Sequence, residues 1–214
     1  FFMLKRSIVL GVFALSLSAC GANNDTAIRI GIIGPLTGDA ASYCIDAANG
    51  AAIAVQELNE LGGINGRRVE LVSEDGQCNG AGGLSAAQKL VNVDRVVALL
   101  AGCSSEVLAA AQIAEAKHIP LVSTVASAPT VTTAGDYIFR VYPSDALKAP
   151  AFKKFFAKNG FKKLAIISEN TDFAQGVRSA LAQELATGET TIVFDEVVPQ
   201  GTKDFRSLLT RLKK

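Results

Sequence analysis

Apolar residues in the first half of the chain form short continuous runs that alternate with longer segments of helical spacing. Four runs have the length and composition of buried strands, at residues 27–34, 69–73, 96–101 and 120–123. Between them, apolar positions recur every three or four residues, which predicts helices at 47–61, 84–91 and 105–117. Because continuous apolar strands are typical of a sheet covered on both faces, the alternation predicts βαβ units around a parallel sheet.

The pattern changes after this array and then restarts. Small residues without helical period are followed by an extended segment at 137–142 and then by Pro143. Beyond it we predict a helix capped by Ser144 and ending at Asn159, followed by strands at 163–168 and 191–197 and by helices at 173–186 and 204–212. We therefore expect two α/β lobes that meet near residues 140–144, with lobe 1 over 27–143 and a partial lobe 2 over 144–214. The second array has only two clear strands, so we expect this lobe to be truncated.

The first twenty residues have the pattern of an export signal. Two basic residues precede an apolar run at 8–17, which is too short to span a bilayer. The following Leu17-Ser18-Ala19-Cys20 matches the bacterial lipobox. This match predicts a lipoprotein signal peptide over 1–20, lipid on Cys20, a polar tether over 21–26, and export to the periplasm or the outer cell surface. The alternative is an ordinary signal peptide with an incidental cysteine.

Charge and composition argue against several classes of function. Basic and acidic residues are nearly balanced, at 21 and 20, and they are interspersed, so no nucleic-acid partner is expected. The single histidine, His118, falls in a predicted turn, and no Cys/His cluster has metal-ligand spacing. Asp75 and Asp172 appear in the sequence as isolated carboxylates. With no nucleophile elbow and no phosphate-binding loop, we expect no enzyme, no metal and no cofactor.

Three cysteines remain after Cys20. Cys78 and Cys103 each follow a predicted strand, in loops that neighbouring parallel strands would bring together. An exported protein permits a disulfide there, and a pair of buried free thiols is the alternative. The state of Cys44 stays open.

Ligands of open α/β sheets bind beyond the carboxyl ends of the strands. That rule selects five loops rich in Ser, Thr, Gly and Asn, at 34–43, 75–80, 102–106, 124–129 and 169–176. Ser104 and Ser105 begin a predicted helix, where free N–H groups favour an anion. Thr124 and Ser127 lie among small residues, and Tyr43 and Phe173 offer flat apolar surface. The set suits a small polar molecule with a carboxylate, although Ser104 could equally be a simple helix cap.

The chain resembles the branched-chain amino-acid-binding proteins, which are periplasmic solute-binding subunits of ABC importers. The motifs that carry the resemblance include Ile28-Arg29-Ile30-Gly31, Gly34-Pro35-Leu36-Thr37-Gly38, Gly62-Gly63-Ile64-Asn65-Gly66-Arg67 and Gly102-Cys103-Ser104-Ser105. The resemblance extends over essentially all of the mature segment. It implies a two-lobed type I periplasmic-binding-protein fold, in which each lobe is a parallel sheet flanked by helices. It also implies that a segment returning to complete lobe 1 is missing here.

The resemblance also implies roles for individual residues. Ser104 matches a residue that binds the ligand carboxylate, and Ala126 and Ser127 match the loop that completes the carboxylate and ammonium contacts. Tyr43 matches an aromatic residue of the side-chain pocket. Phe173 stands where the family usually has tyrosine.

The cysteines can be compared with the family in the same way. Cys78 and Cys103 match the position of its disulfide, whereas Cys44 stands where glycine is common.

These expectations combine into one functional hypothesis. The protein would be an extracytoplasmic solute-binding lipoprotein that holds an amino acid, branched-chain or similarly aliphatic, or a related small carboxylate or amide, between its lobes. Its partners would be that solute, the ABC permease subunits and, through the lipid on Cys20, the membrane. A ligand-sensing module of the same fold and a secreted enzyme are the alternatives.

Overall fold

The computed structural model describes residues 27–38 and 40–213. The predicted signal peptide, Cys20 with its lipid and the tether at 21–26 lie outside these residues and stay predictions. Among the helices that are described, none combines the length and the apolar character needed to cross a bilayer.

Five parallel strands form the sheet of the first unit, in the order β2-β1-β3-β4-β5. They are β1 Ile28–Gly34, β2 Val69–Asp75, β3 Ala98–Ala101, β4 Leu121–Ser123 and β5 Ile138–Arg140. Each strand lies within two residues of the run that predicted it. The expectation of parallel βαβ units is therefore confirmed.

Three helices pack on this sheet, namely α1 Ala41–Glu60, α2 Gly80–Asn92 and α3 Ser104–Lys117. The core lies where α2 and α3 meet each other and the central strands, and its fully buried side chains include Leu90, Leu99, Val107 and Leu121. Buried alanines on both helices allow them to approach closely. This core holds the carboxyl ends of the strands, and the loops that follow them, in fixed positions.

A second, two-stranded parallel sheet follows, formed by β6 Lys163–Glu169 and β7 Thr191–Val198. Its helices are α4 Ala149–Lys158, α5 Asp172–Leu185 and α6 Arg206–Leu212. The change of sheet falls between β5, which ends at Arg140, and β6, which begins at Lys163. The lobe boundaries at residues 143 and 144 stay predictions.

The helix predicted from Ser144 to Asn159 is in fact two pieces. Ser144 caps a short 3-10 helix, Asp145–Leu147, by accepting a hydrogen bond from the Ala146 amide at 3.3 Å. The α-helix begins separately at Ala149, with Pro150 in its first turn. A proline ring clashes with the carbonyl four residues earlier, so a continuous helix cannot run through this position.

Helix α1 begins at Ala41, earlier than the predicted start at Ala47, so Tyr43 lies in a helix and not in the predicted loop 34–43. Residues before Ala47 have little apolar periodicity, and a tertiary contact stabilises them instead. Cys44 is buried against two glycines, because a Cβ added at Gly102 would come within 2.3 Å of its sulfur and one at Gly34 within 3.0 Å of its Cβ. The first turn of α1 therefore depends on small residues at two strand ends.

Candidate ligand-binding cleft

Ser104 and the loop after β4 are in direct contact. Ser104 is the first residue of α3 and is only 4% exposed. Its Oγ accepts a hydrogen bond from the Ala128 amide at 3.2 Å. In the same loop, the Ala126 amide donates to Ser123 Oγ at 3.2 Å. Hydroxyl groups thus hold the loop that carries Ala126 and Ser127 against the start of α3.

Ser127 is attached to the crossover between the two sheets. Its hydroxyl donates to Asp145 Oδ2 at 2.7 Å, and its carbonyl accepts from the Asp145 amide at 2.9 Å. Asp145 is 2% exposed and also forms an ion pair with Lys148. Sequence reasoning missed Asp145, because one aspartate after a proline and a serine carries no signal of burial.

The structure joins Cys78 and Cys103 in a disulfide with Cα atoms 5.3 Å apart, which confirms the predicted pair. The fully buried carboxylate of Glu106 lies beside it. One of its oxygens accepts from the Cys78 amide and the other from the Cys103 amide, both at 2.9 Å. Burial raises the pKa of Glu106, although the two amides oppose that shift.

Glu106 was also missed in the sequence. It stands three residues after Cys103, which is the position of an acid in a capping box, so a signal was available.

Asp75 is not isolated, and this part of the sequence interpretation was wrong. Its carboxylate accepts hydrogen bonds from Thr37 Oγ1 at 2.6 Å, from the Gln77 amide at 2.9 Å and from the Leu36 amide at 3.1 Å. These bonds, with that from Thr37 foremost, lower the pKa of Asp75. The carboxylate therefore connects two of the predicted ligand loops.

A polar cavity of about 200 Å³ lies between the two units. Its lining comes from the first turns or caps of three helices and from the loop after β7, and comprises Asn79, Gly80, Ser105, Asn170, Thr171, Asp172, Gln175 and Gln200. The units touch here, since the Asp172 amide donates to Ser105 Oγ at 3.3 Å. Three of the five predicted loops thus meet at one cavity. Gln200 was missed, although the same rule of strand ends applied to β7 would have found it.

Of the other predicted residues, Ser104, Ala126, Ser127 and Phe173 are not among those that line this cavity. Phe173 follows Asp172 in the first turn of α5 and is 49% exposed. The predicted role of the Tyr43 side chain stays a prediction. Cys44 borders a cavity of about 10 Å³ that has room for about one water. Burial, followed by the charge of Glu106, raises the pKa of the Cys44 thiol to about 11.

Helix α5 approaches the loop after β4 at a glycine. A Cβ on Gly176 would lie 2.8 Å from Pro129 Cδ. We expect Gly176→Val to push α5 away from this loop, at a cost of about 1–3 kcal/mol in unfolding free energy. Hydrogen exchange of residues 126–128 should then accelerate, whereas Ser179→Val, on an exposed part of the same helix, should leave it unchanged. Equal exchange in the two variants would contradict this contact.

No group of three or more His, Cys, Asp or Glu side chains in the described ranges could hold a metal ion. The lining of the cavity between the units supplies hydroxyl and amide groups together with the carboxylate of Asp172.

Fold and cleft together define a two-unit α/β protein with a polar site where its units meet, the arrangement of a ligand-binding protein. The model of the periplasmic binding protein family matches residues 27–214. The chain belongs to this family, and the resemblance seen in its sequence is confirmed.

Among curated relatives, the Leu/Ile/Val-binding protein of Escherichia coli K12 is 30% identical over 213 residues, covering 98% of this chain and 57% of the relative. The leucine-, isoleucine-, valine-, threonine- and alanine-binding protein of Pseudomonas aeruginosa is 29% identical over 189 residues, covering 87% of this chain and 51% of the relative. The chain thus spans little more than half the length of these relatives.

Solved structures show the same fold. A branched-chain amino acid transporter substrate binding protein of Streptococcus pneumoniae, in complex with isoleucine, is 29% identical with a TM-score of 0.72, over 87% of this chain and 54% of that one. A solute binding protein of Rhodopseudomonas palustris, in complex with 4-hydroxybenzoate, has a TM-score of 0.74 at 23% identity, over 87% and 51% of the two chains. The second likeness concerns the fold alone.

Proposed function

We propose that this chain is the extracytoplasmic solute-binding component of an ABC importer. It binds an amino acid, branched-chain or similarly aliphatic, or a related small carboxylate or amide. The ligand lies between the two lobes, 27–143 and 144–214, and the closed form is what the permease recognises. The predicted lipid on Cys20 would keep the protein at the membrane. Binding, with no chemical step, is the proposed activity.

The observation that carries this proposal is the hydrogen-bonding state of Ser104. A hydroxyl has one proton and two lone pairs, and the Ala128 amide uses a lone pair of Ser104 Oγ. Among the described residues its proton meets no acceptor. Ser104 therefore has a proton to donate at the first turn of α3, where the free N–H groups of the helix also favour an anion. A ligand carboxylate satisfies both.

The second lobe supports the proposal with a complementary polar surface. Thr171 caps α5 by accepting from the Ala174 amide at 3.2 Å, so the first turn of this helix also presents N–H groups to the cleft. The Asp172 amide also donates a hydrogen bond to Ser105 Oγ in the first unit. Phe173 is exposed beside these groups and would cover an aliphatic side chain, with Tyr43 as its proposed counterpart on lobe 1. Closure of two lobes over a ligand is an established type of conformational change.

The ligands of similar proteins support the same proposal. Curated relatives bind leucine, isoleucine and valine, and a solved neighbour holds isoleucine. A carboxylate is common to these ligands, which fits the role proposed for Ser104.

Calorimetry on the full-length protein tests the proposal. L-Leucine, L-isoleucine, L-valine, their amides and 4-hydroxybenzoate form the panel. We expect micromolar or tighter binding of at least one aliphatic amino acid. Ser104→Ala should weaken it about tenfold or more, because a hydrogen bond to a charged group contributes about 1.5–3 kcal/mol.

The matched control is Ser179→Ala, which removes the same hydroxyl from an exposed position on α5. It should bind as the wild type does. Binding to no member of the panel would overturn the proposed function. Unchanged affinity in Ser104→Ala would overturn the role of that residue.

A further inference from the structure

Asp145 is a buried carboxylate outside the predicted site, and its position in the chain is unusual. It is the first residue of the 3-10 helix Asp145–Leu147, on the crossover that leaves the first sheet. Helix α5 of the second unit packs against this short helix. With 2% of its surface exposed, Asp145 is among the most buried ionisable side chains of the described chain. A buried carboxylate needs hydrogen-bond or ion-pair partners, and one partner of Asp145 is Ser127, a predicted ligand-binding residue.

The carboxylate is held from two sides. Lys148 Nζ lies 2.5 Å from Oδ1, and this contact raises the pKa of the Lys148 ammonium. Ser127 Oγ lies 2.7 Å from Oδ2, and the Asp145 amide returns a bond to the Ser127 carbonyl. In the bond between Ser127 and Asp145 the hydroxyl is the donor and the carboxylate oxygen is the acceptor. The hydroxyl proton of Ser127 must therefore point at Asp145.

The direction of that proton determines what Ser127 can offer to a ligand. Once its proton is used, Ser127 Oγ has only lone pairs left, so it accepts hydrogen bonds and cannot donate one. Ser104, on the adjacent helix, is in the opposite state, since it has accepted a bond and retains its proton. Ser104 thus offers a donor and Ser127 an acceptor, on two segments that the hydrogen bond from the Ala128 amide to Ser104 Oγ holds together.

We infer that Asp145 is a positioning residue that selects for a ligand carrying an N–H donor beside its carboxylate. It acts through Ser127, whose hydroxyl it turns into an acceptor, and it touches no ligand itself. A zwitterionic amino acid satisfies both serines, whereas a simple carboxylate leaves the acceptor unpaired, and a site with an unpaired polar group discriminates strongly. This inference rests on the proposed function, because it concerns the same cleft.

The test compares two probes that differ only in the ammonium group, L-leucine and 4-methylpentanoate, by calorimetry on the full-length protein. The wild type should prefer L-leucine. In Asp145→Asn, the amide can donate to Ser127 and release its proton toward the ligand, so the ratio of the two affinities should fall at least tenfold. A merely structural role would weaken both probes alike and leave the ratio intact.

Four further variants separate positioning from folding. Ser127→Ala removes the acceptor and should lose the same preference. The double variant should lose no more than Ser127→Ala alone, because Asp145 acts through that hydroxyl. Ser127→Thr keeps a hydroxyl and should keep the preference. Ser144→Ala removes the cap of the same 3-10 helix without touching the Asp145–Ser127 bond, and it should leave the ratio unchanged.

The outcomes are distinct. Provided that the wild type binds L-leucine, any of three results overturns the inference. They are a preference for L-leucine that survives Asp145→Asn, additive losses of preference in the double variant, and an unchanged affinity ratio in Ser127→Ala. Should Asp145→Asn fail to fold, Ser127→Ala and Ser127→Thr decide the question alone. A wild type that binds neither probe, nor any member of the amino-acid panel, overturns the proposed function and this inference with it.

Discussion

Replacing Cys78 and Cys103 by serine is expected to lower the free energy of unfolding by about 3.5 kcal/mol. The bridge closes a loop with a sequence separation of 25 residues. On the chain-entropy model, its loss releases that much conformational freedom in the unfolded chain. The loops that the bridge joins follow β2 and β3 at the cleft, so we also expect faster hydrogen exchange in residues 75–80 and 102–106.

Urea unfolding with and without dithiothreitol provides the measurement. The reductant should shift the wild-type curve to that of the double serine variant and leave the variant itself unchanged. Cys44→Ala keeps the bridge and is the matched control for loss of a buried sulfur. Identical unfolding curves for the oxidised wild type and the variant would contradict a stabilising bridge.

Glu106→Ala should also destabilise the protein, because Glu106 is the acceptor for two partly buried amides. Its loss leaves the Cys78 and Cys103 amides without the partners that the structure gives them. An unsatisfied buried group costs about 1–3 kcal/mol, and these two amides are only partly buried, so we expect a loss of about 2–3 kcal/mol in unfolding free energy. Glu106→Gln retains one acceptor oxygen and should lose about half as much.

The comparison of the wild type with Glu106→Gln also gives a prediction for how stability depends on pH. Burial raises the folded-state pKa of Glu106 above its ordinary value of 4.5. The stability that goes with a raised pKa is fully present below the unfolded pKa and is lost as pH rises through the folded one. The stability of the wild type relative to Glu106→Gln should therefore decrease as pH rises from about 4.5 to 7. Asp75, whose lowered pKa acts in the opposite sense, is present in both proteins, and its charge adds to the upward shift of the Glu106 pKa.

Thermal or urea unfolding of both proteins across this pH range measures the difference directly. A difference that stays constant, or that moves in favour of the wild type as pH rises, would contradict a raised pKa. Equal stability of Glu106→Ala and the wild type at pH 7 would contradict the role of the carboxylate as a shared acceptor.

Local signals in the chain were sufficient for most of the fold. Continuous apolar runs located the strands of the first sheet, and the carboxyl-end rule identified three loops that meet at the cavity between the units. The split at Pro150 was also visible in the sequence, since proline restricts a helix wherever it occurs. The early start of α1 was not visible, because its first turn depends on Cys44 meeting Gly34 and Gly102, which are far away in the chain.

The hydrogen bonds of the candidate site also could not be predicted from the sequence. Ser104 and Ser127 could be selected as hydroxyls near strand ends, but their hydrogen-bonding states could not be known. Those states depend on Ala128 and Asp145, which lie 24 and 18 residues away along the chain. The carboxylates Asp75, Glu106 and Asp145 were either misjudged or missed, since a pattern of residue types does not reveal which acids become buried and paired.

The sequence by itself determined the class of fold and the location of the candidate loops, whereas for Cys78 and Cys103 it left both a disulfide and two free thiols open. The fold class and the loops follow from periodicity, turn residues and composition, which act over a few neighbouring positions. Only the tertiary structure decided which hydroxyl retains its proton and which carboxylate is buried. Both depend on atoms from distant segments that come within about 3 Å of each other, the range over which hydrogen bonds form.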